Sequence, residues 1–254
     1  MGGVSKPVKG SEEWWVDYLT HGHQLEGMAR WLFPKLPSAP RCKICKVPFN
    51  GFGKIFSRFG WGPSRKNPKM CGFCSDRLPI GGADVEVAIL VVDVRGYTTL
   101  SETMKPTELV AKLNAFFNTS TDILMHHDAL IDKYLGDAVQ ALFLPGVAGE
   151  SYLRCAFEAG SQILSRFKDL PIGVTIHSGV CYVGNVGSDH IVDLTAMGDV
   201  VNTTHRLQSA ASEGSMVVSS TVYDHLKLEG WEKLDLELKG KAESFSAYQS
   251  KNRF

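Results

Sequence analysis

The 254-residue chain is 44% hydrophobic and 21% charged, the proportions of an ordinary folded protein, and its length suits one sizeable domain with a small appendage. Its 27 basic and 27 acidic side chains cancel, so overall charge draws it toward neither nucleic acid nor an acidic surface. No apolar run approaches the roughly 20 residues that span a bilayer, and the first 15 residues lack the apolar core of a secretory signal. A cytoplasmic location with no transmembrane segment is therefore expected.

Residues 1–34 read as an N-terminal helical segment. Over residues 11–33, Ser11 can cap a helix whose first turn carries Glu12 and Glu13. Trp14, Tyr18, Leu25, Met28 and Leu32 recur near one face, and Pro34 closes the segment. Gly22 and Gly27 leave two shorter helices as an alternative. Residues 35–79 change character: Pro and Gly are frequent, and ten Lys or Arg stand against a single Asp76. Cys42 and Cys45 make one CxxC pair and Cys71 and Cys74 a second, with 25 residues between. Without a secretory signal, such pairs point to a metal rather than to disulfides. Four thiolates in two knuckles suit Zn²⁺, and an iron–sulfur cluster also takes four cysteines. A segment this poor in large apolar groups needs a staple, and a bound zinc supplies on the order of 10 kcal/mol. The basic bias either offsets the negative charge of a four-thiolate zinc site or offers a surface to an anionic partner, nucleic acid or lipid. Residues 51–62, with four Gly, three Phe and Trp61, either stack on bases or pack beneath a loop; packing is the simpler reading.

Residues 80–86, IGGADVE, are expected to link into the main domain, residues 87–254. Six of the seven residues 87–93 are apolar, which describes a strand buried on both faces and ended by Asp93. Arg95-Gly96-Tyr97-Thr98 follows, then a helix over about 105–126. A strand–turn–helix junction offers free N–H groups and a positive helix end, which suit phosphate. Asp93 repels phosphate and approaches it only through a divalent cation. Residues 129–135 and 138–144 form a hairpin around Gly136 and Asp137. A helix over 151–168 comes next, then two strands punctuated by the glycines of 173–187. Further elements are a helix over 198–211, a strand at 216–219 and a short helix at 221–225. Strands at 234–238 and 245–249 close the chain around Lys239 and Lys241. The order β-α-β-β-α-β is that of an α+β, ferredoxin-like core with additions.

Five segments carry a resemblance: VVDVRGYTTLSE, DKYLGDAVQALF, GVTIHSGVCYVGNVG, DLTAMGDVVNTTHRLQ and LKGKAE. Their identity and order resemble the catalytic domain of class III nucleotidyl cyclases over about residues 85–250. The resemblance implies that a ribose 3′-OH attacks the α-phosphate of a nucleoside triphosphate and pyrophosphate leaves, with two Mg²⁺ or Mn²⁺ ions at the site. Asp93 and Asp137 would bridge the ions, and the Val94 carbonyl would add a ligand. The backbone at Gly96, Tyr97 and Thr98 would cradle phosphate. Arg206 would meet the α-phosphate in the transition state, with Asn202 one helical turn earlier, and Lys239, or else Lys241, would reach the triphosphate tail. Lys133 and Thr195 occupy the base-selecting positions. A Lys donor and a Thr hydroxyl acceptor favour ATP, while Thr in place of the family's more usual Asp leaves room for GTP or a pyrimidine triphosphate. The family builds each site between two chains, and this chain carries both sets of residues, so a homodimer with shared active sites is expected. The function implied is an adenylate cyclase making 3′,5′-cyclic AMP, regulated by its Cys-rich N-terminal region. The contrary reading is a catalytically silent nucleotide- or nucleic-acid-binding module. His177 reads as structural; His190 and His205 carry no assignment.

Overall fold

An apolar run without a polar face must be covered on both sides, and the strand that carries residues 87–92, β1 (Gly81–Val94), lies in the middle of the sheet. The computed structural model describes residues 7–21, 33–35, 39–51, 53–76, 78–188, 192–237 and 244–251. β1 starts earlier than expected: residues 81–86 belong to the strand and are not a linker. Ala83, Val85 and Val87 are buried while Asp84 and Glu86 are exposed, so the polar appearance of this stretch is the period-two pattern of a half-covered strand.

Helix α1 (Glu12–His21) precedes a short turn at Phe33–Lys35 and the Cys-rich region, whose described residues include single turns of helix at Gly53–Phe56 and Gly72–Ser75 and a five-residue turn at Ser57–Trp61. After β1 come α2 (Tyr97–Thr103), α3 (Pro106–His126), β2 (Leu130–Leu135) and β3 (Ala138–Phe143). A turn at Pro145–Ala148 leads to α4 (Tyr152–Arg166), β4 (Ile172–Gly187) and β5 (Val192–Met197). The remainder is α5 (Asp199–Gln208), β6 (Met216–Ser219), α6 (Ser220–Leu226), β7 (Glu232–Leu236) and β8 (Phe245–Gln249). The strand order is β2-β3-β1-β4-β6-β8-β7, with β5 paired to β4. Its first four strands have the ferredoxin-like arrangement. The sheet is mixed, since β6 runs parallel to β4 and the other pairs are antiparallel.

The glycines of residues 173–187 do not divide two strands; β4 is one strand of 16 residues. Two of its glycine effects come from tertiary crowding. A Cβ on Gly184 would stand 2.2 Å from the Gly81 carbonyl oxygen and 2.4 Å from the Gly82 Cα. The paired backbones of β1 and β4 approach too closely here for any side chain. The short β5 has no counterpart among the sequence-based elements.

Alternation along β1 divides the core. Ala88, Leu90 and Val92 face α3 and α4, where Phe116, Leu124, Ala156 and Ile163 complete one buried cluster. Val85, Val87, Ile89 and Val91 face the other way, into a cluster shared with Trp15, Tyr18 and Leu19 of α1 and with Cys42, Cys45, Cys71 and Cys74. The N-terminal region and the sheet therefore share one core. Ser11 Oγ accepts from the Trp14 N–H at 3.3 Å, the expected cap. The buried face of α1 is Trp15, Tyr18 and Leu19, with Trp14 stacked on Tyr18 at a ring separation of 5.2 Å. Leu25, Met28 and Leu32 lie outside the described residues. Among those described, no helix is long and apolar enough to cross a membrane.

The close approach of β1 and β4 at Gly184 makes a test. Gly184→Ala forces β1 and β4 apart, and overpacking of this kind costs about 1–3 kcal/mol. The urea midpoint of the variant should fall accordingly; a midpoint equal to that of the parent would contradict the close approach.

Candidate active site and four-cysteine centre

Strand register brings the two predicted aspartates together. Asp93 pairs with Ala138 on β3 and with Gly173 on β4. Asp137, one residue before Ala138, thus lands beside Asp93, and its carbonyl accepts from the Val94 N–H at 3.2 Å. Gly136 supplies the left-handed turn between β2 and β3, with φ of 67°. Asp93 Oδ1 is buried and has no hydrogen-bond partner among the described residues. Arg95 Nε lies 3.1 Å from it, close enough to pair charges but misaligned for a hydrogen bond. Arg95 is held by a bond from Nη2 to the Gln208 carbonyl at 2.5 Å. Burial raises the Asp137 carboxyl above its ordinary range; the Asp93 charge adds to this, and Arg95 and a bond to the backbone oppose it. An unpartnered buried oxygen and a second carboxyl with a raised pKa are a donor set short of positive charge. Hard oxygen ligands so placed fit Mg²⁺ or Mn²⁺. Val94, paired with Ile172, ends β1 beside them.

The turn after β1 is open. Gly96 takes φ 69° and ψ 22°, and a Cβ there would meet nothing within 4 Å. The Leu100 N–H bonds back to the Gly96 carbonyl at 3.1 Å, so those of Tyr97, Thr98 and Thr99 precede the first such bond of α2. Lys239 and Lys241 lie outside the described residues, as does His190.

Helix α5 carries Asn202 and Arg206 on its outer side. Val200, Thr203, Thr204 and Leu207 are buried, which leaves Asn202 exposed and Arg206 partly exposed one turn away. The two predicted base-reading residues touch: Lys133 Nζ donates to Thr195 Oγ1 at 2.8 Å across 62 residues of sequence. Thr195 reaches this place because β5 pairs with the far end of β4, opposite Gly184. Lys133 follows a break in the β2–β3 register after Ile131. Behind the pair lies a polar network that the sequence reading missed. The wholly buried Asp132 side chain has Oδ1 3.7 Å from Lys133 Nζ. Its Oδ2 accepts from Gln140 Nε2 at 2.5 Å, and Gln140 Oε1 lies 2.6 Å from His205 Nε2. Burial first, then the Lys133 charge, lowers the His205 pKa against the pull of Asp132. A neutral imidazole donating to Gln140 follows. The network ties the strand of Lys133 to the helix of Asn202 and Arg206. A Gln inside the apolar run 138–144 is its visible signal.

The four predicted cysteines also converge. All are buried, and their sulfurs lie within 4.8 Å of one another. Cys45 Sγ and Cys71 Sγ are 3.7 Å apart. Tetrahedral ligation at about 2.3 Å puts sulfurs about 3.8 Å apart, so the spacing fits one ion. Cys42 Sγ accepts N–H bonds from Cys45 at 3.5 Å and Cys71 at 3.3 Å. Side-chain bonds from Cys45, then Cys71 and Cys74, favour the Cys42 thiolate, while Cys42 and the others push the Cys74 thiol far up. Only a cation lets all four ionise together. The Tyr18 hydroxyl donates to the Cys74 carbonyl at 2.5 Å and fixes α1 to this centre.

Among the ten basic residues of this region, Arg41, Lys43 and Lys66 find partners within the chain, while Lys35, Lys46, Lys54, Arg58 and Arg65 are exposed. Arg41 donates to the Phe33 and Lys46 carbonyls, Lys43 pairs with Asp128 at 2.8 Å, and Lys66 pairs with Asp193. Trp61 stacks on Phe73 at 5.4 Å, so part of the aromatic loop packs on itself rather than facing a base.

A ferredoxin-like α+β core with one aspartate at the end of its central strand and a second in the adjoining hairpin turn is the frame of a nucleotidyl cyclase catalytic domain. Residues 83–250 match the adenylate and guanylate cyclase catalytic domain, and the chain belongs to that family. An adenylate cyclase of Anabaena cylindrica is 30% identical over 200 residues, which cover 69% of this chain and 39% of that protein. Adenylate cyclase 1 of Rhizobium meliloti is 33% identical over 148 residues, 53% of this chain and 22% of the relative. The chain thus spans well under half the length of either. The adenylyl cyclase CyaB from P. aeruginosa superposes with a TM-score of 0.60 at 28% identity, covering 66% of this chain and 96% of CyaB. The guanylyl cyclase Cya2 does so at 0.61 and 26%, covering 65% and 91%.

The raised Asp137 pKa fixes a sign. The folded carboxyl holds its proton more tightly than the unfolded one, so its contribution to stability falls as pH rises between the unfolded and the raised folded pKa. Asp137→Asn should therefore melt higher than the parent at neutral pH, with the difference closing below about pH 4. Mn²⁺ should raise the melting temperature of the parent and not of the variant. A variant that melts lower at neutral pH would refute the charge conflict.

Proposed function

We propose that this chain is an adenylate cyclase that converts ATP to 3′,5′-cyclic AMP and pyrophosphate as a homodimer with shared active sites. The contact between Lys133 Nζ and Thr195 Oγ1 carries the choice of base. The Lys133 ammonium donates to adenine N1, and Thr195 Oγ1 keeps a lone pair for the 6-amino group. Guanine sets its N1–H against the ammonium, donor against donor, so GTP is disfavoured.

Asp93 and Asp137, with the Val94 carbonyl, hold two Mg²⁺ or Mn²⁺ ions, which supply charge neutralisation and activation of the ribose hydroxyl. The backbone of Gly96, Tyr97 and Thr98 donates to phosphate oxygens. Arg206 places a cation where charge develops on the α-phosphate, Asn202 orients the ribose, and Lys239 meets the triphosphate tail. The chain carries the aspartates and the base and phosphate contacts together, so a head-to-tail pair of copies completes two sites. Exposed Tyr134 and Leu135 on the hairpin, with Val180, Val192 and Met197 on β4 and β5, offer apolar surface for the second copy. The four cysteines hold one Zn²⁺, as the sulfur spacing favours a single ion over a multi-iron cluster.

Purified protein given ATP and Mn²⁺ should release cyclic AMP and pyrophosphate, and competition among the four triphosphates should favour ATP. Arg206→Ala should lose roughly 10²–10³-fold in rate. Asp93→Ala and Arg206→Ala chains, each nearly inactive, should regain activity when mixed; no recovery would defeat the shared site. Absence of any cyclic product would favour the silent binding module. Metal analysis should find one zinc per colourless chain, lost with a fall in melting temperature in Cys71→Ser. Visible absorption that fades on oxidation would indicate an iron–sulfur cluster instead.

A further inference from the structure

We infer that Lys66 and Asn67, in the four-cysteine region, are positioning residues for the base-reading pair Lys133–Thr195, so that this region acts on the choice of nucleotide rather than on the chemical step. The inference rests on the reading of that pair as the contact to the base. Residues 64–67 precede Cys71 in a closed loop. The Ser64 N–H bonds to the Met70 carbonyl at 2.9 Å, and the Met70 N–H to the Asn67 carbonyl at 2.8 Å. Ser64 Oγ accepts from the N–H groups of Lys66 and Asn67 and donates to Asp76 Oδ1 at 2.8 Å. The loop is therefore rigid where it leaves the thiol centre.

From that loop, two consecutive residues reach two different strands. Asn67 is 3% exposed, and its Oδ1 accepts from the Ile131 N–H at 2.8 Å. β2 is the edge strand of the sheet, and this bond pins it two residues before Lys133, beside the break in register. The Lys66 ammonium pairs with the Asp193 carboxylate and donates to the Leu194 carbonyl at 3.3 Å. Those are the two residues immediately before Thr195 in β5. Lys66 also feels the charges of Asp132 and Lys133, which places it against the network behind the pair. A hydrogen bond weakens steeply over a few tenths of an ångström, so Lys133 and Thr195 read one base edge only while their two strands keep a fixed spacing. Lys66 and Asn67 are a brace between those strands. Neither belongs to the paired aspartates or to α5, so loss of the brace should act on substrate affinity and base choice.

The full-length protein with its metals bound makes the test. Lys66→Met should raise KM for ATP about threefold to tenfold and lower the preference for ATP over GTP by a similar factor, with the larger share of the effect in KM and not kcat. Asp193→Asn should do the same, the double variant should be no worse than either single one, and Lys66→Arg should restore the parental values. Parental KM and selectivity in both single variants would overturn the inference. So would effects that add in the double variant, or a loss confined to kcat. Equilibrium binding of fluorescent ATP and GTP analogues, in Ca²⁺, separates this from failure of the proposed function. If the parent makes no cyclic product yet prefers the ATP analogue, loss of that preference in Lys66→Met sustains the brace, and its retention overturns it. A parent without preference in either measurement overturns both readings.

Discussion

Two like charges held side by side set the character of this site. Asp93 and Asp137 are neighbours because β1 and β3 are in one register, and a slip of one residue would turn Asp93 to the other face of the sheet. That register is enforced from both sides. Ala88, Leu90 and Val92 are locked under α3 and α4, and Val87, Ile89 and Val91 under the N-terminal region. The core thus supplies the free energy that keeps two carboxyl groups where they repel. Arg95 offsets the repulsion only in part, since its Nε is near Asp93 Oδ1 without bonding to it. A site poised in this way is complementary to cations and, through them, to phosphate.

The N-terminal region completes the domain more than it decorates it. Trp15, Tyr18 and the four cysteines are among the most buried side chains, and they cover the face of the sheet on which Asp93 lies. The thiol centre is joined to α1 through Tyr18, to the turn after α3 through Lys43 and Asp128, and to β5 through Lys66. The place of the four sulfurs is thus tied to three elements, one of which, β5, carries Thr195.

What was legible in the sequence follows from the range of each interaction. Residues 87–93, the hairpin around Gly136 and Asp137, and the long helix ending at His126 could be read because their apolar periods are local. The four-residue step from Asn202 to Arg206 was equally plain, since helix geometry alone puts both on one side. Residues 80–86 read as a linker because Gly and Ala beside Asp and Glu hide an alternation that only burial reveals. The glycines of β4 read as breaks because the need at Gly184, close approach to Gly81 and Gly82 on the paired strand, lies about a hundred residues away in sequence. β5 is only six residues long, too short for its alternation to stand out. The basic bias of residues 35–77 was legible, but its use was not: Lys43 and Lys66 find their acids at Asp128 and Asp193, and no pattern in the chain names those partners. Lys133 and Thr195 came from family resemblance, and only the curl of β4 and β5 places them in contact.

The sequence separation of 127 between Lys66 and Asp193 carries a consequence for biogenesis. At synthesis rates of about 5–20 residues per second, the acidic partner emerges roughly 6–25 seconds after the lysine. Through that interval the sheet on which the thiol knuckles and α1 lie is incomplete, since β5 follows β1 to β4. Early capture of a metal by the nascent chain would shield those sulfurs and rings from oxidation and from neighbouring ribosomes' products. Docking onto the β4–β5 arm then closes contacts of very long sequence separation, which places it among the last events of maturation.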